Sequence, residues 1–442
     1  MTELDRLTPH PGYWPSAWPV ECGGNRRQKA AAGRLDAASG SASVVSRHDK
    51  KWYVMVVQRD QHEWYVGGTM PAFAGPPPHG WVERIDPETL EASAASPELP
   101  CGEHVWCGAI LVHANGSIMS VNGSYLHRLD PDDLHVIAER QLPVSRSHNG
   151  LLALADGTLI TKDLRLEGQG GTTISRFDPD TLEPVGDPLV LPEGSMGRIA
   201  ADLGPVGETI TVPGTEHLWR LRVDGPELTI DDWRPRYRSS GGDQGLAWDS
   251  CISGGSAWLM DCGDIESVRM IHQTLPNGRW DANPGSALSW RRAAPWGGAQ
   301  RLLRVDLTSA SVDEIAPFGT SGGGIIAPPV HIPEFDMAIA WDSVNGGLAG
   351  VSTTNGLDVA WSVAHVRPSM QPVVFPESGE LVINDFTDAG SDDLIVVDLA
   401  TGGLVDRAPT GSGIANGMFL SPGPDRSVFY CSTLTLAKIT WS

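Results

Sequence analysis

Short apolar runs, alternating or continuous, recur along the chain between Gly, Pro, Asn and Asp, and no long stretch repeats at the helical period. The runs follow a grammar. A small apolar strand turns through a Gly-containing corner into a second apolar strand ending in a polar residue. A third strand leads into an Asp-Pro or Asp-Leu turn, and a fourth closes the unit. The clearest copies begin at Trp106, Asn149 and Gln371. First strands fall near Ser43, Gly108, Leu151, Ile199, Gly245, Ile325, Val373 and Met418. Their spacing, mostly roughly 45 residues, is that of a four-stranded propeller blade. The pattern therefore predicts an all-β fold: a single β-propeller of about eight blades, or seven because the 245–325 interval is long.

Asp-Pro-x-x-Leu recurs at Asp86, Asp130 and Asp178, with variants at Asp306 and Asp398. The carboxylate accepts backbone N–H bonds and Pro presets φ, so these are hairpin turns between third and fourth strands. The last unit holds only about three strands, and a propeller must hide its edges. Residues 1–40 are read as an N-terminal extension able to supply the closing strand. Residues 41–442 form the propeller, with a Gly/Pro/Trp-rich loop insertion at about 263–300.

Composition removes several function classes. The net charge of −22 over 442 residues disfavours nucleic acid and anionic membrane, which need clustered Lys and Arg. No apolar run is long enough to span a membrane. The N-terminus lacks the basic and apolar regions of a secretory signal, so a cytoplasmic protein is expected. Six scattered cysteines form no CxxC pair and are expected as reduced thiols, although Cys101/Cys107 and Cys251/Cys262 are close enough to bridge. There is no GxSxG elbow, no phosphate-binding GxxxxGK[ST] loop and no HExxH helix.

The Asp turns, with units such as the one running from Ile325 to Val363, look like quinoprotein-type propellers. The segments HNGLLALADGTLITKD and ANGMFLSPGPDRSVFYCST resemble Asn-Gly strands of the gluconolactonase/strictosidine-synthase group. Both resemblances cover nearly the whole chain as repeats, and both imply a propeller.

Chemistry is expected on one face. First strands start, and second strands end, at the same mouth of a propeller channel. The turns of the opposite face are short and stereotyped here, whereas the longer connections fall on the mouth, where binding residues concentrate. Residues converging there are Glu103, His104, His148, Asn149, Lys162, Asp163, Arg198, Asp243, Gln244, Asp261, Asp342, Gln371, Asp385 and Asn416. Glu103, Asn149, Asp243 and Asn416 make an oxygen-rich set for one divalent ion, Ca²⁺ preferred. This resembles the gluconolactonase pattern, although that family has six blades and a wider channel would spread the ligands. Adding His104 and His148 shifts preference toward Zn, Mn or Fe. Metal-free acid–base chemistry would use His148, which titrates near neutrality, with Lys162 and Asp163 of the same blade. Alternation along a strand lets only one of that pair into the funnel, and Asp163 is favoured by its alignment with Asp261 and Asp342. The ring of aspartates has a structural reading as well, capping loop N–H groups. Of sixteen tryptophans, Trp106, Trp248, Trp258, Trp341 and Trp361 are expected between blades, and Trp290 and Trp296 on the insertion suit an apolar ligand wall.

The sequence thus points to an enzyme acting on a small uncharged or cationic molecule. A lactonase-like hydrolase or a lyase/hydratase comes first. A non-catalytic interaction scaffold and a quinone-dependent oxidoreductase are the alternatives, the latter disfavoured by the absence of a vicinal cysteine pair.

Overall fold

The computed structural model describes residues 10–70, 77–205, 207–238, 244–263, 298–325, 327–369, 371–414 and 417–442. It is an all-β propeller of seven sheets. Six are four-stranded blades whose innermost strands are Cys107–Val112, His148–Ala153, Ala200–Gly204, Ala247–Ser253, Val330–Ile332 and Val373–Phe375. Most innermost strands are flanked by neighbouring blades and read as unbroken apolar runs; CGAILV and HNGLLA are buried at every position. Outer strands lie at the rim with one wet face, and Val136–Gln141 alternates in burial residue by residue.

The seventh sheet holds both chain ends, in the order Gly417–Gly423, Ser427–Trp441, Ala42–Asp60, Glu63–Met70, His79–Ile85, Ala92–Ala95. Its two long strands bend. Leu434 takes a φ of 70°, and Trp441 N donates to Arg426 O at 3.1 Å, so 435–441 folds back beside 427–433. In the other strand, pairing runs from Ala42↔Trp441 to His48↔Thr435, then shifts to Trp52↔Thr433 before 52–60 takes up Glu63–Met70. This sheet therefore carries the strand content of two four-stranded units. That is why a repeat read as about eight produces seven sheets. Residues 42–48 are the closing edge strand and 52–60 the first inner strand, so the closure starts just beyond the region before Ser41 where it was expected.

The preceding segment enters the channel instead. Between residues 12 and 31 it bonds to one inner strand after another. Pro19 O accepts from Val112 N, Asn25 O from Ala201 N, Arg26 O from Ile252 N and Lys29 O from Val374 N, all at 2.8–2.9 Å. Crossing the ring this way buries three charged side chains, Glu21, Arg27 and Lys29, to 1% exposure or less.

The expected turns are present. Asp86 Oδ1 accepts from Glu88 N and Thr89 N at 2.8 and 2.9 Å, and Asp130, Asp178 and Asp306 repeat the pattern. All six cysteines are free and buried. No helix among the described residues is long and apolar enough to cross a membrane.

Candidate functional site at the channel mouth

Four aspartates stand at the ends of second strands, and the structure shows what holds each. In Asp163, Oδ1 accepts from Thr173 N at 2.6 Å and Oδ2 from Arg165 Nε at 2.6 Å. In Asp261, the same two oxygens take Arg301 N at 2.7 Å and Arg301 Nε at 2.8 Å. In Asp385, they take Arg367 N at 2.7 Å and Arg407 Nη2 at 2.5 Å. Asp342 gives Oδ1 to the N–H groups of Gly324, Val344 and Asn345 at 3.2, 2.9 and 2.9 Å. The ring thus caps loop N–H groups, satisfying buried donors that would otherwise be costly.

Lys162, the neighbour of Asp163, points the other way. Its ammonium is fully buried and donates to Ser195 O at 2.9 Å. Burial pushes its pKa down to about 7; Asp163 and Asp249 oppose the shift and Arg198 adds to it. His148 pairs across the ladder with Asp163, and its Nδ1 lies 3.0 Å from Arg146 O. Burial lowers its pKa to about 4, so it is neutral at pH 7 rather than poised there. His104 Nε2 is spent on Ser145 O at 2.8 Å.

The expected metal donors do not form a ligand set among the described residues. Glu103 is exposed. Asn149 Oδ1 accepts from Trp106 Nε1 at 3.1 Å, and its Nδ2 donates to Met196 O at 3.1 Å. Asp243, Asn416, Trp290 and Trp296 lie outside the described residues. Three groups of the Asp130 turn, Asp130, Asp133 and His135, gather their ligand atoms within 4.8 Å, on a wet surface loop.

What the structure does bring together is a buried charge network that the sequence did not reveal. Arg27 lies between Glu21, which it touches, and Asp249 at 2.9 Å. Arg198 joins them, with Nε 3.1 Å from Glu21 and Nη1 3.7 Å from Asp249. Its guanidinium also stacks toward Phe419 at 4.8 Å and Trp106 at 5.8 Å from the ring centroids. Arg198 Nη2 is buried with no hydrogen-bond partner among the described residues. Gln371 Oε1 accepts from Cys22 Sγ at 2.7 Å, and burial pushes that thiol up to about 11. Gln244 is half-buried with its Oε1 unpartnered. Glu21, Arg27 and Lys29 lie in a stretch, ECGGNRRQK, whose Gly pair and mixed charge also fit an ordinary solvated linker.

No family model and no curated protein matches the chain. Solved structures match it as a fold. Quinohemoprotein alcohol dehydrogenase from Comamonas testosteroni is 10% identical, with a TM-score of 0.65, over 99% of this chain and 82% of that one. The Dos1 propeller is 9% identical, with a TM-score of 0.59, over 90% and 94%. Chaetomium thermophilum Sqt1, bound to the N-terminus of ribosomal protein L10, is 13% identical, with a TM-score of 0.57, over 89% and 98%. At such identities the likeness is one of architecture: the chain is a β-propeller, a scaffold used by enzymes and protein-binding modules alike.

Proposed function

We propose that the chain is a small-molecule enzyme of the hydrolase or lyase type, acting at the mouth end of the channel. Arg198 would hold a ligand carboxylate and Lys162 would exchange the proton. The observation that carries this reading is Arg198 Nη2, which has no hydrogen-bond partner among the described residues and lies buried between Trp106 and Phe419, in a core where Arg27, Lys29, Lys162 and Arg198 meet only Glu21, Asp249 and an Asp163 already paired with Arg165 among those residues. A buried cation with a free donor favours an anionic ligand over the uncharged or cationic one suggested by the overall charge. An amine titrating near 7 is present in both forms at neutral pH, which suits either half of a general acid–base cycle. His148 is better suited to positioning, since it stays neutral. The described oxygen donors do not fit a divalent ion here, and no step is drawn through one.

Thermal-shift titration with a panel of small hydroxycarboxylates and their lactones tests this reading, followed by turnover assays on those that bind. Arg198→Gln is expected to weaken carboxylate binding by about 10- to 100-fold, the worth of a buried charged hydrogen bond. Equal responses of the wild type and Arg198→Gln across the panel would sink it. Reduction of a dye acceptor only after addition of a pyrroloquinoline quinone would favour redox chemistry instead.

A second reading, a non-catalytic interaction scaffold, draws on a different surface. A cavity of about 770 Å³ opens on the opposite face, between the channel-crossing segment (Trp14, Pro15, Arg26) and the strand corners at Leu203, Glu334 and Glu377. Under that reading, pull-down partners compete for this face and none of the panel binds at the mouth.

A further inference from the structure

The four second-strand aspartates invite comparison with one another, because the repeat gives them one structural job. Each accepts at Oδ1 from backbone N–H groups. In three of them an arginine, Arg165, Arg301 or Arg407, supplies the positive charge that Oδ2 needs when buried. Among the described residues, Asp342 has no arginine. Its side chain is 1% exposed, and Oδ2 has no hydrogen-bond partner among those residues. Beside it lies Gln300, also 1% exposed, with both amide atoms unpartnered. The Ser343 hydroxyl is a fourth unpartnered polar group at the same corner.

Asp342 Oδ2 and Gln300 Oε1 border one small gap. A Cβ placed on Gly323, whose φ is 55°, would sit 2.8 Å from Asp342 Oδ2 and 3.2 Å from Gln300 Oε1. The absence of a side chain at Gly323 leaves that space to whatever the two oxygens hold. Buried polar atoms are rarely left bare, so such a concentration calls for an occupant. A carboxylate lacking the cation its three counterparts have calls for a positive one. Burial also raises the Asp342 pKa, a cost that a bound cation removes.

We propose that Asp342 Oδ2, Gln300 Oε1 and Ser343 Oγ form a site for a hard cation, Ca²⁺ by its ligand chemistry, at the junction of the sheets that contain Ser256–Asp261 and Met337–Trp341. One carboxylate, one amide oxygen and one hydroxyl, completed by water, are the hard oxygen donors Ca²⁺ takes, and all three are neutral or singly charged. The Gln300 amide nitrogen donates to a water of the ion's shell. Ser343 is only partly buried. With a single charged ligand the affinity belongs to the weak class, about 0.1–1 mM. This site is separate from Arg198 and does not depend on the enzymatic reading.

The test uses the full chain stripped with EGTA and then titrated with CaCl₂ or TbCl₃. Ca²⁺ at 10 mM is expected to raise the melting temperature by about 1–2 °C, the linkage effect of a site near ten-fold saturation. Terbium emission excited through tryptophan, of which Trp341 is next in sequence, is expected to rise and to be displaced by Ca²⁺. Asp342→Asn keeps the Oδ1 cap and removes the charge; Gln300→Leu removes an oxygen and leaves Asp342 in place. Both are expected to fold and to lose the two responses. No shift and no terbium signal in the wild type would overturn the proposal and assign the gap to water. Unchanged responses in both folded variants would overturn it equally.

Discussion

Lys162 shows how a single buried charge writes itself into the stability of the molecule. An ordinary lysine titrates near 10.5, and burial brings this one down to about 7 in the folded state. Between those values the unfolded chain binds a proton that the folded chain does not. Stability from this group therefore rises with pH from about 7 to about 10.5, and its penalty is fullest below 7. Lys162→Met is expected to flatten that rise. Urea unfolding at pH 6, 8 and 9.5 would check it: a wild type whose midpoint falls over this range relative to the variant contradicts the assignment. The sequence placed Lys162 and Asp163 at a second-strand end, and strand alternation said that only one would face the channel. It favoured Asp163 by alignment, but what holds that carboxylate, Arg165 and Thr173 N, was not legible. These take up the Asp163 carboxylate; Arg165 lies in a loop with no repeat to align, and Thr173 opens the strand after it. Arg198 was legible as a residue at the mouth, but its partners were not. Glu21 reaches it from a segment 177 positions earlier, and Phe419 from the far side of the ring.

Turns were legible because their physics is local, and they carry a prediction of their own. Four residues after each turn aspartate the backbone is left-handed: Leu90, Leu134, Leu182 and Ala310 have φ of 59–62°, and Gly402 has 72°. A side chain pays a steric cost there. The three leucines are fully buried, and that burial offsets the cost. Ala310 is only partly buried and has a single methyl to bury, so it bears the strain with little return. Ala310→Gly is therefore expected to stabilise by about 0.5–1 kcal/mol, against the usual sign for such a change. Chemical denaturation with an unchanged m-value would show it, and a loss of stability would mean that the methyl packs better than its exposure suggests. The channel-crossing segment has no such local signature. Its residues take their places from hydrogen bonds to four different inner strands, contacts that no periodicity reports.

Closure belongs to the whole molecule. Ser41 and Ser442 are 401 residues apart in sequence and lie side by side, and one sheet holds both ends of the chain. The repeat foretold a closing strand from the N-terminal side, since the last unit is one strand short. Its placement at 42–48 depended on the fold-back at Leu434, a single positive φ that no pattern announces. Trp441 locks this join. It is fully buried in one apolar cluster with Leu35 and Ala37 of the N-terminal segment and with Leu394, Val396 and Ala408 of the preceding blade, pairs with Ala42, and its Nε1 donates to Asp406 at 2.7 Å. Trp441→Ala is expected to cost about 3–5 kcal/mol, the range for a buried tryptophan. The kinetics should be more telling than the equilibrium. Pairing of such distant segments carries a large loop entropy and forms late, so the lost contacts are absent from the folding transition state. Most of the cost is then expected in a faster unfolding rate, about 100-fold or more, with refolding nearly unchanged. Stopped-flow unfolding and refolding limbs separate the two. A refolding rate that drops as much as the unfolding rate rises would mean that the ends meet early, and that the ring nucleates at its seam.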